Sequence, residues 1–184
     1  KTQRENLEDM EGEIIEDAKM GGGPKTTRAD HLKEQPSSPA DANTIVAYTD
    51  GACSGNPGPA GAGVFMTLPK YKLEASEFMG LATNNAAELR AIMIALETLE
   101  AEDKERAMHL YTDSAWALGV LVGGWKAKTN LEAIKKIKAL LEEFPKVELL
   151  KVKGHAGIPG NEEADYLATR ATRREQSSTK RKDR

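Results

Sequence analysis

Polar and apolar residues alternate in the middle of the chain in the way that a β-strand requires. Thr44–Asp50 places Val46, Tyr48 and Asp50 on one side and apolar or small residues on the other, which is the period of a half-buried strand. The following segment, Gly51–Gly61, is rich in Gly and Pro and predicts a loop. Two further strands are predicted at Ala62–Leu68 and Lys72–Met79. Because the connections are short, the three strands should be antiparallel neighbours.

Apolar residues recur at helical spacing in the next part of the chain. In Asn84–Glu100 they form one stripe, which consists of Leu89, Ile92, Met93, Leu96 and Leu99. Further helices are predicted at Ser114–Val122, Asn130–Phe144 and Asn161–Arg173, and further strands at Ala107–Thr112 and Val147–Val152. The resulting order, βββαβααβα, predicts an α/β fold: a five-stranded mixed sheet, three strands antiparallel and then two parallel, flanked by helices.

The two ends of the chain differ from this middle part. Residues 1–43 contain 10 acidic and 6 basic side chains, few apolar residues and the linker-like segment Gly21–Pro24, so we expect a flexible acidic extension. Residues 172–184 carry 2 acidic and 6 basic side chains and are expected to form a flexible basic tail. The folded domain is therefore predicted to span residues 44–171 of the 184.

Composition excludes several classes of protein. A single cysteine, Cys53, excludes an internal disulfide and a multi-cysteine zinc site. No apolar run approaches the roughly 20 residues of a membrane-spanning helix, and we expect no secretory signal at the N-terminus. These features predict a cytoplasmic protein with no membrane partner. The net charge of −3 does not indicate a polyanionic partner. The eight Lys and four Glu of residues 126–153 could contact phosphate or simply form a solvated face.

A three-residue recurrence marks the first candidate site. Tyr48-Thr49-Asp50 and Tyr111-Thr112-Asp113 each end a predicted strand. A helical crossover would make the two strands parallel neighbours and place Asp50 and Asp113 at one edge of the sheet, where ligands bind in α/β folds. Adjacent carboxylates repel each other unless a cation or a proton intervenes, and oxygen ligands favour Mg²⁺ or Mn²⁺. The alternative is that each Asp only caps the helix that follows it.

A second candidate site lies at the start of the predicted helix at Asn84. Thr83, Asn84 and Asn85 offer three hydrogen-bonding side chains at a helix N-terminus, which suits a phosphate or the edges of bases and sugars. Glu88 follows at a spacing that would also let it reach back to cap the helix. The sequence leaves both roles open for Glu88.

A third candidate site follows the last predicted strand. His155 stands in a Gly-rich loop, and Asp165 lies one turn into the helix that starts near Asn161. A histidine beside glycine is also common on protein surfaces, and acidic residues near a helix N-terminus are favourable without any further function. Both interpretations stay open on these residues alone.

Taken together, these segments resemble the ribonuclease HI family, the type 1 ribonucleases H. The matching stretches are Tyr48–Gly61, Thr83–Leu89, Tyr111–Ser114 and Lys153–Gly157 with Asn161, Glu162 and Asp165. They occur in the family's order and cover about residues 44–171. The resemblance implies a ribonuclease H-like fold and an endonuclease that cleaves the RNA strand of RNA/DNA hybrids with little sequence specificity, leaving 3′-hydroxyl and 5′-phosphate ends. It also implies a monomer, and no protein partner can be deduced.

The resemblance assigns the acidic residues to a metal centre. Asp50, Glu88, Asp113 and Asp165 would be the catalytic metal ligands, holding two Mg²⁺ ions, with Mn²⁺ as a substitute. Asp50 would bridge both ions, Asp165 would help to hold the ion that activates water, and Glu88 and Asp113 would hold the ion at the leaving oxygen. His155 would be a further catalytic residue that handles a proton or assists product release.

The resemblance also assigns residues to the substrate. Those implied for the RNA strand and minor groove are Cys53, Asn56, Asn84 and Asn85, and those implied for a DNA phosphate are Thr83 and Asn130. These contacts would sense the 2′-hydroxyl groups of one strand and their absence from the other.

The sequence departs from the family pattern in two places. Ala115 stands where family members often carry Gln, so one groove contact is expected to be missing. Only 51 residues separate Asp113 from Asp165, so the basic handle that many members insert there is expected to be absent. Trp125 in this region could stack on a DNA sugar or close the core. We hypothesise that the basic tail replaces the missing positive charge. A module that binds hybrids without cleaving them is the rival prediction, although none of the four acids is lost.

Overall fold

The computed structural model describes residues 32–184, so the first 31 residues of the predicted extension lie outside the described part of the chain. The strands are β1 (Ile45–Cys53), β2 (Gly58–Thr67), β3 (Tyr71–Ala82), β4 (Met108–Thr112), β5 (Val147–Lys151) and β6 (Ser178–Asp183). The helices are α1 (Asn84–Glu97), α2 (Ala115–Leu121), α3 (Leu131–Glu142) and α4 (Pro159–Arg174), with a short 3₁₀ turn at Ala101–Asp103.

The six strands form one mixed sheet in the order β5-β4-β1-β2-β3-β6. β1, β2 and β3 are antiparallel neighbours, whereas β4 is parallel to both β1 and β5. This arrangement confirms the predicted α/β fold with its three antiparallel and two parallel strands. The register pairs Tyr48 with Tyr111 and Thr49 with Thr112, which brings the ends of β1 and β4 to the same edge of the sheet.

Helices cover both faces of the sheet. α1 packs on β1 and β2, and α4 packs on β1, β2 and β3. The predicted stripe of α1 is buried in full, with Leu89, Ile92, Met93, Leu96 and Leu99 at most 7% exposed. Each such side chain contributes about 1.5–3 kcal/mol when it is buried. The stripe therefore fixes α1, and with it Glu88, against the sheet.

The predicted loop Gly51–Gly61 is wrong for most of its length. β1 continues to Cys53 and β2 starts at Gly58, so only four residues form the turn. Gly61 in this segment, like Gly63 just beyond it, provides space for packing. A Cβ atom on Gly61 would lie 2.5 Å from the carbonyl oxygen of Ala168, and one on Gly63 would lie 2.1 Å from that of Ala164. Glycine at these positions lets α4 approach β2 closely.

The C-terminal residues are more ordered than the sequence indicated. They form β6, which pairs antiparallel with β3 from Tyr71↔Asp183 to Ser76↔Ser178. The Arg181 guanidinium lies 3.5 Å from the centre of the Tyr71 ring. The expectation of a tail without regular structure is therefore corrected. Lysine and arginine in this strand suit an edge position, because charged residues discourage pairing with another chain.

The end of the predicted N-terminal linker also packs on the domain. Leu32 is buried, and the Lys151 N–H donates a hydrogen bond of 2.7 Å to the Lys33 carbonyl. Glu148 accepts hydrogen bonds from Lys33, from the Ser37 hydroxyl at 2.6 Å and from the Ser37 N–H at 3.1 Å. We call residues 32–37 the N-terminal strap. These contacts correct the expectation of a flexible linker for this segment.

Candidate active site

Three carboxylates converge at the edge where β1 and β4 end. One carboxylate oxygen each of Asp50, Glu88 and Asp113 lies within 4.8 Å of the others. Asp50 and Glu88 are 6% and 4% exposed, and Asp113 is half-buried. Residues separated by up to 63 positions in the sequence therefore form one cluster. The Tyr-Thr-Asp recurrence predicts the meeting of Asp50 and Asp113, and Glu88 joins them.

The helix-capping alternatives for these acids are wrong. The N-cap of α1 is Thr83, whose hydroxyl accepts a hydrogen bond of 3.2 Å from the Ala86 N–H. Ser114 caps α2 in the same way, at 3.1 Å from the Ala117 N–H. The capping role is thus filled by neighbours, and the carboxylates of Glu88 and Asp113 are directed into the pocket.

The cluster raises the pKa values of its members. Burial raises the pKa of Asp50 to about 8, and the charges of Asp113 and Asp165 add to this rise. Burial, followed by the charges of Asp50 and Asp113, also raises the pKa of Glu88 well above its ordinary value. Burial raises the pKa of Asp113, although the nearby His155 opposes the rise. Without a cation, the pocket therefore keeps protons near neutral pH.

Asp165 of α4 adjoins the three clustered acids. It lies in the second turn of α4 and is half-buried. Its charge acts on both Asp50 and Asp113, although it is not among the three residues whose oxygens lie within 4.8 Å of one another. The structure thus brings all four predicted acids to one site, with Asp165 beside the tight group of three.

The pocket fits a divalent cation. Glu88 Oε2 is buried and has no hydrogen-bond partner among the described residues, which is costly for a carboxylate oxygen unless a proton or a cation satisfies it. All the converging ligands are carboxylate oxygens, and such ligands are preferred by hard ions of the Mg²⁺ type. The geometry therefore agrees with a metal centre.

The predicted histidine lies in the loop between β5 and α4. His155 is exposed and has a backbone φ of 53°, an uncommon conformation for a residue other than glycine. The preceding Gly154 lies against the site, because a Cβ atom there would be 2.8 Å from Asp113 Oδ2. This loop therefore passes directly over the Asp113 carboxylate.

Several predicted substrate residues lie together beside the pocket. The Asn56 side-chain oxygen, in the turn between β1 and β2, accepts a hydrogen bond of 3.1 Å from the Asn84 N–H. Cys53, at the end of β1, donates from its thiol to the Ala82 carbonyl at 3.3 Å. Thr83 and Asn85 are buried at the start of α1. Hydrogen bonds thus hold the β1–β2 turn and the end of β1 against the start of α1.

The remaining two predicted substrate residues lie between α2 and α3. Trp125 packs on Gly119, where an added Cβ atom would be 2.1 Å from the indole ring, and it lies against the hydrophobic core. This contact favours the core-closing alternative for Trp125. Asn130 precedes α3 with a φ of 59°, and its amide donates to the Thr129 hydroxyl at 3.3 Å.

The basic tail lies away from the position of the handle. The handle would be inserted between α2 and α3, and α2 contacts β5. β6 lies at the other edge of the sheet, separated from β1 by β2 and β3. The hypothesis that the tail replaces the missing positive charge stays a prediction, and any such charge acts from the opposite edge of the sheet.

Sequence reasoning missed the role of two glycines. Gly51 and Gly154 follow Asp50 and Lys153 within the matching segments, and the sequence predicts only a loop at both positions. A Cβ atom on Gly51 would lie 2.5 Å from the Glu88 backbone nitrogen. The position of each glycine next to a candidate site residue is a signal in the sequence. It does not identify the residue that each glycine contacts, because Glu88 and Asp113 are distant in sequence from Gly51 and Gly154.

Comparison with known proteins places this architecture in a family. The RNase H family model matches residues 42–173. The chain belongs to the RNase H family. It is 42% identical over 143 residues to the ribonuclease H of Desulforamulus reducens, covering 70% of this chain and 87% of that protein. It is 41% identical over 137 residues to the ribonuclease H of Paramagnetospirillum magneticum, covering 68% and 87% of the two chains.

Solved RNase H structures share the fold. LC11-RNase H1, isolated from compost and solved in complex with an RNA/DNA hybrid, superposes with a TM-score of 0.62 at 30% identity, covering 71% of this chain and 98% of that one. RNase H1 from the archaeon Halobacterium salinarum gives a TM-score of 0.57 at 30% identity, covering 73% and 100%. These relatives confirm the predicted family and the prediction of a ribonuclease H enzyme.

No helix in the part of the chain that the structure describes is long and apolar enough to cross a membrane.

Proposed function

We propose that the protein hydrolyses the RNA strand of RNA/DNA hybrids with two divalent cations, preferably Mg²⁺, and leaves 3′-hydroxyl and 5′-phosphate ends. The observation that carries this proposal is the buried group of Asp50, Glu88 and Asp113, with Asp165 beside it. The likeness to LC11-RNase H1, which was solved with an RNA/DNA hybrid, supports the choice of substrate.

The four acids would hold the cations in a fixed geometry. Asp50, which interacts with Glu88 and with the charges of Asp113 and Asp165, would help to hold both ions. Glu88 and Asp113 would complete one ion site, and Asp165 would contribute to the other. When bound, the two ions activate a water molecule and neutralise charge on the phosphate and on the leaving oxygen.

His155 would move a proton at the edge of this centre. It is exposed and lies close enough to Asp113 to affect the pKa of that carboxyl group, and an imidazole ring can both accept and donate a proton. A proton donor at this position would assist the leaving oxygen or the release of product. Loss of His155 should therefore slow turnover without abolishing it.

The polar surface beside the acids would read the duplex. Cys53, Asn56, Asn84 and Asn85 would contact the 2′-hydroxyl groups and base edges of the minor groove, and Thr83 and Asn130 would hold a phosphate of the DNA strand. Because such contacts distinguish RNA from DNA and not one base from another, cleavage should depend little on sequence.

Cleavage assays on matched duplexes test the proposal. Labelled RNA/DNA, RNA/RNA and DNA/DNA duplexes of one sequence are incubated with Mg²⁺, Mn²⁺ or EDTA, and the ends of the products are analysed. We expect cleavage only in the RNA strand of the hybrid, with 3′-hydroxyl and 5′-phosphate ends, and no cleavage in EDTA.

Two variants locate the activity. Asp50→Asn should abolish cleavage, whereas Asp183→Asn changes an exposed acid on β6 and should leave it unchanged. Binding of the hybrid without any cleavage would instead support the rival function of a non-catalytic hybrid-binding module. Cleavage of RNA/RNA at a similar rate would contradict the proposed substrate.

A further inference from the structure

We infer that Gly51 is a positioning residue for the metal centre, because its missing side chain lets α1 approach β1 closely enough for Glu88 to join Asp50. The inference rests on the proposed function, since it concerns how the four acids are assembled. It assigns a role to a residue that has no side chain with which to bind a metal.

The first support is the closeness of the two backbones. A Cβ atom on Gly51 would lie 2.5 Å from the backbone nitrogen of Glu88, 2.7 Å from the carbonyl carbon of Ala87 and 2.8 Å from the Ala87 Cβ. Two of these three atoms belong to the α1 backbone, which cannot yield by a change of rotamer. Any side chain at residue 51 must therefore push α1 away from β1.

The second support is that glycine is not needed here for its backbone conformation. Gly51 is absent from the residues with a left-handed φ, which include Gly55, Gly80, Gly124 and Gly157. Alanine could adopt the conformation of Gly51 without strain. The requirement for glycine at this position therefore comes from the contact with α1 alone.

The third support is that the Gly51 amide binds the acids themselves. Its N–H donates a hydrogen bond of 2.9 Å to Asp50 Oδ1. A hydrogen bond from the same backbone group also reaches the Glu88 carboxyl group. The Gly51 amide thus contacts both carboxylates. The absence of a side chain at Gly51 also lets α1, which carries Glu88, lie directly against it.

Other close glycines of the sheet have different partners. Gly61 faces Ala168, Ala171 and Thr172 of α4 and has no contact with the acids. The approach of α1 to β1 at Gly51 is therefore specific to the part of the sheet where Glu88 must be delivered.

The test measures metal binding in the absence of substrate. Mg²⁺ and Mn²⁺ affinities of the full chain are determined by calorimetry for the unsubstituted protein, for Gly51→Ala and for Leu73→Ala. Leu73 is buried in β3, which β2 separates from β1, so its variant controls for loss of stability. We expect Gly51→Ala to bind metal about ten- to a hundredfold more weakly, as loss of a supporting contact does at other metal sites.

The kinetic result should separate positioning from general damage. In Gly51→Ala, the Mg²⁺ concentration needed for half-maximal cleavage should rise by a similar factor, with little change in KM for the hybrid. Leu73→Ala should keep the Mg²⁺ dependence of the unsubstituted protein. Metal affinity and Mg²⁺ dependence within twofold of the unsubstituted values in a folded Gly51→Ala would overturn the inference.

A second measurement needs no substitution and covers the case in which Gly51→Ala does not fold. The amide resonance of Gly51 is followed by NMR during a Mg²⁺ titration, with the amide of Gly61 as the reference. We expect the Gly51 signal to move with metal binding, whereas the Gly61 signal stays in place. A Gly51 signal that does not move although metal binds would overturn the inference, whereas failure of the unsubstituted protein to bind metal or cleave the hybrid would count against the proposed function.

Discussion

A buried carboxyl group with a pKa of about 8, that of Asp50, dominates the chemistry of the site at the scale of single residues. Between the ordinary value near 3.8 and this raised value, the folded state holds a proton that the unfolded chain has released. The metal-free protein should therefore lose stability as pH rises through this range. Bound Mg²⁺ replaces the proton, so its apparent affinity should increase with pH up to about 8, by about tenfold per unit for each proton released.

Calorimetry checks this expectation. Mg²⁺ binding is measured from pH 6 to 8 in buffers with different ionisation enthalpies, which counts the protons released. Thermal unfolding with and without Mg²⁺ should show a stabilisation that grows over the same range. Affinity and proton release that do not change with pH would mean that the acids are ionised before metal binds.

The contact of Gly154 with Asp113 leads to a second prediction. An alanine at this position places its Cβ atom 2.8 Å from Asp113 Oδ2, and the carboxylate must move to make room. Because a displacement of about 1 Å at a reacting centre can cost on the order of a hundredfold in rate, Gly154→Ala should lower kcat by about ten- to a hundredfold. Steady-state kinetics on the hybrid measure this, with Ala156→Ser in the same exposed loop as the control. Equal kcat values for the two variants would show that Asp113 adjusts freely.

These residues show which parts of the site the sequence can predict. Asp50, Asp113, Glu88 and Asp165 stand in local patterns, since each follows a strand or begins a helix, and topology alone brings such positions together. Gly51 and Gly154 matter because a helix or a side chain from elsewhere in the chain approaches them. A contact of that kind leaves no periodic signal in the sequence, so only the folded structure shows it.

At the scale of elements, periodicity predicted every strand and helix with a buried face and missed the one strand without such a face. β6 is exposed along most of its length, and five of its six residues, from Thr179 to Asp183, have exposed side chains. Its stability comes from backbone pairing with β3 and from the contact of Arg181 with Tyr71. The sequence also predicts a loop at Gly61 of β2, because glycine has no side chain to show the strand period, although Gly61 marks the close approach of α4.

The pairing of β6 predicts a measurable contribution to stability. A chain ending at Ser177 loses the β3–β6 ladder, whose exposed hydrogen bonds are worth about 0.5 kcal/mol each at the low end of the usual range. We expect a loss of about 2 kcal/mol, which corresponds to a fall in Tm of about 4–8 °C for a chain of this size. Metal affinity should stay the same because β2 and β3 separate β6 from β1.

Lys182→Ala provides the control for β6. It keeps the ladder and removes one of two like charges, since Lys182 stands opposite Lys72, a pairing that is unfavourable in sheets. Its Tm should therefore equal or slightly exceed that of the unsubstituted chain. An unchanged Tm in the shortened chain would show that β6 adds nothing to the fold in solution.

At the scale of the whole molecule, segments from near both ends of the chain close the two edges of the sheet. The family match covers residues 42–173, and the segments outside it include the N-terminal strap beside β5 and the whole of β6. The Lys151 N–H at the β5 edge donates to Lys33, and β3 is covered by β6. The residues beyond the family match therefore complete the sheet, and neither edge strand of the common fold is left fully open.

Because the N-terminal strap packs on the sheet, we expect the folded unit to begin before residue 42, where the family match starts. A chain starting at Thr44 loses the buried Leu32, worth about 1.5–3 kcal/mol, and the hydrogen bonds of Lys33 and Ser37 to Glu148. It should be less stable by about 2 kcal/mol than a chain starting at Leu32, as measured by urea unfolding.

The Lys33 and Ser37 bonds hold the pKa of Glu148 at about 2, far below the ordinary value of 4.5. This part of the difference is complete above pH 4.5 and lost as pH falls toward 2. Glu148→Gln should reproduce part of the loss, whereas Glu143→Gln, which affects only the surface pair with Lys104, should change stability little. Equal stability of the two shortened chains would show that the strap rests on the sheet without supporting it.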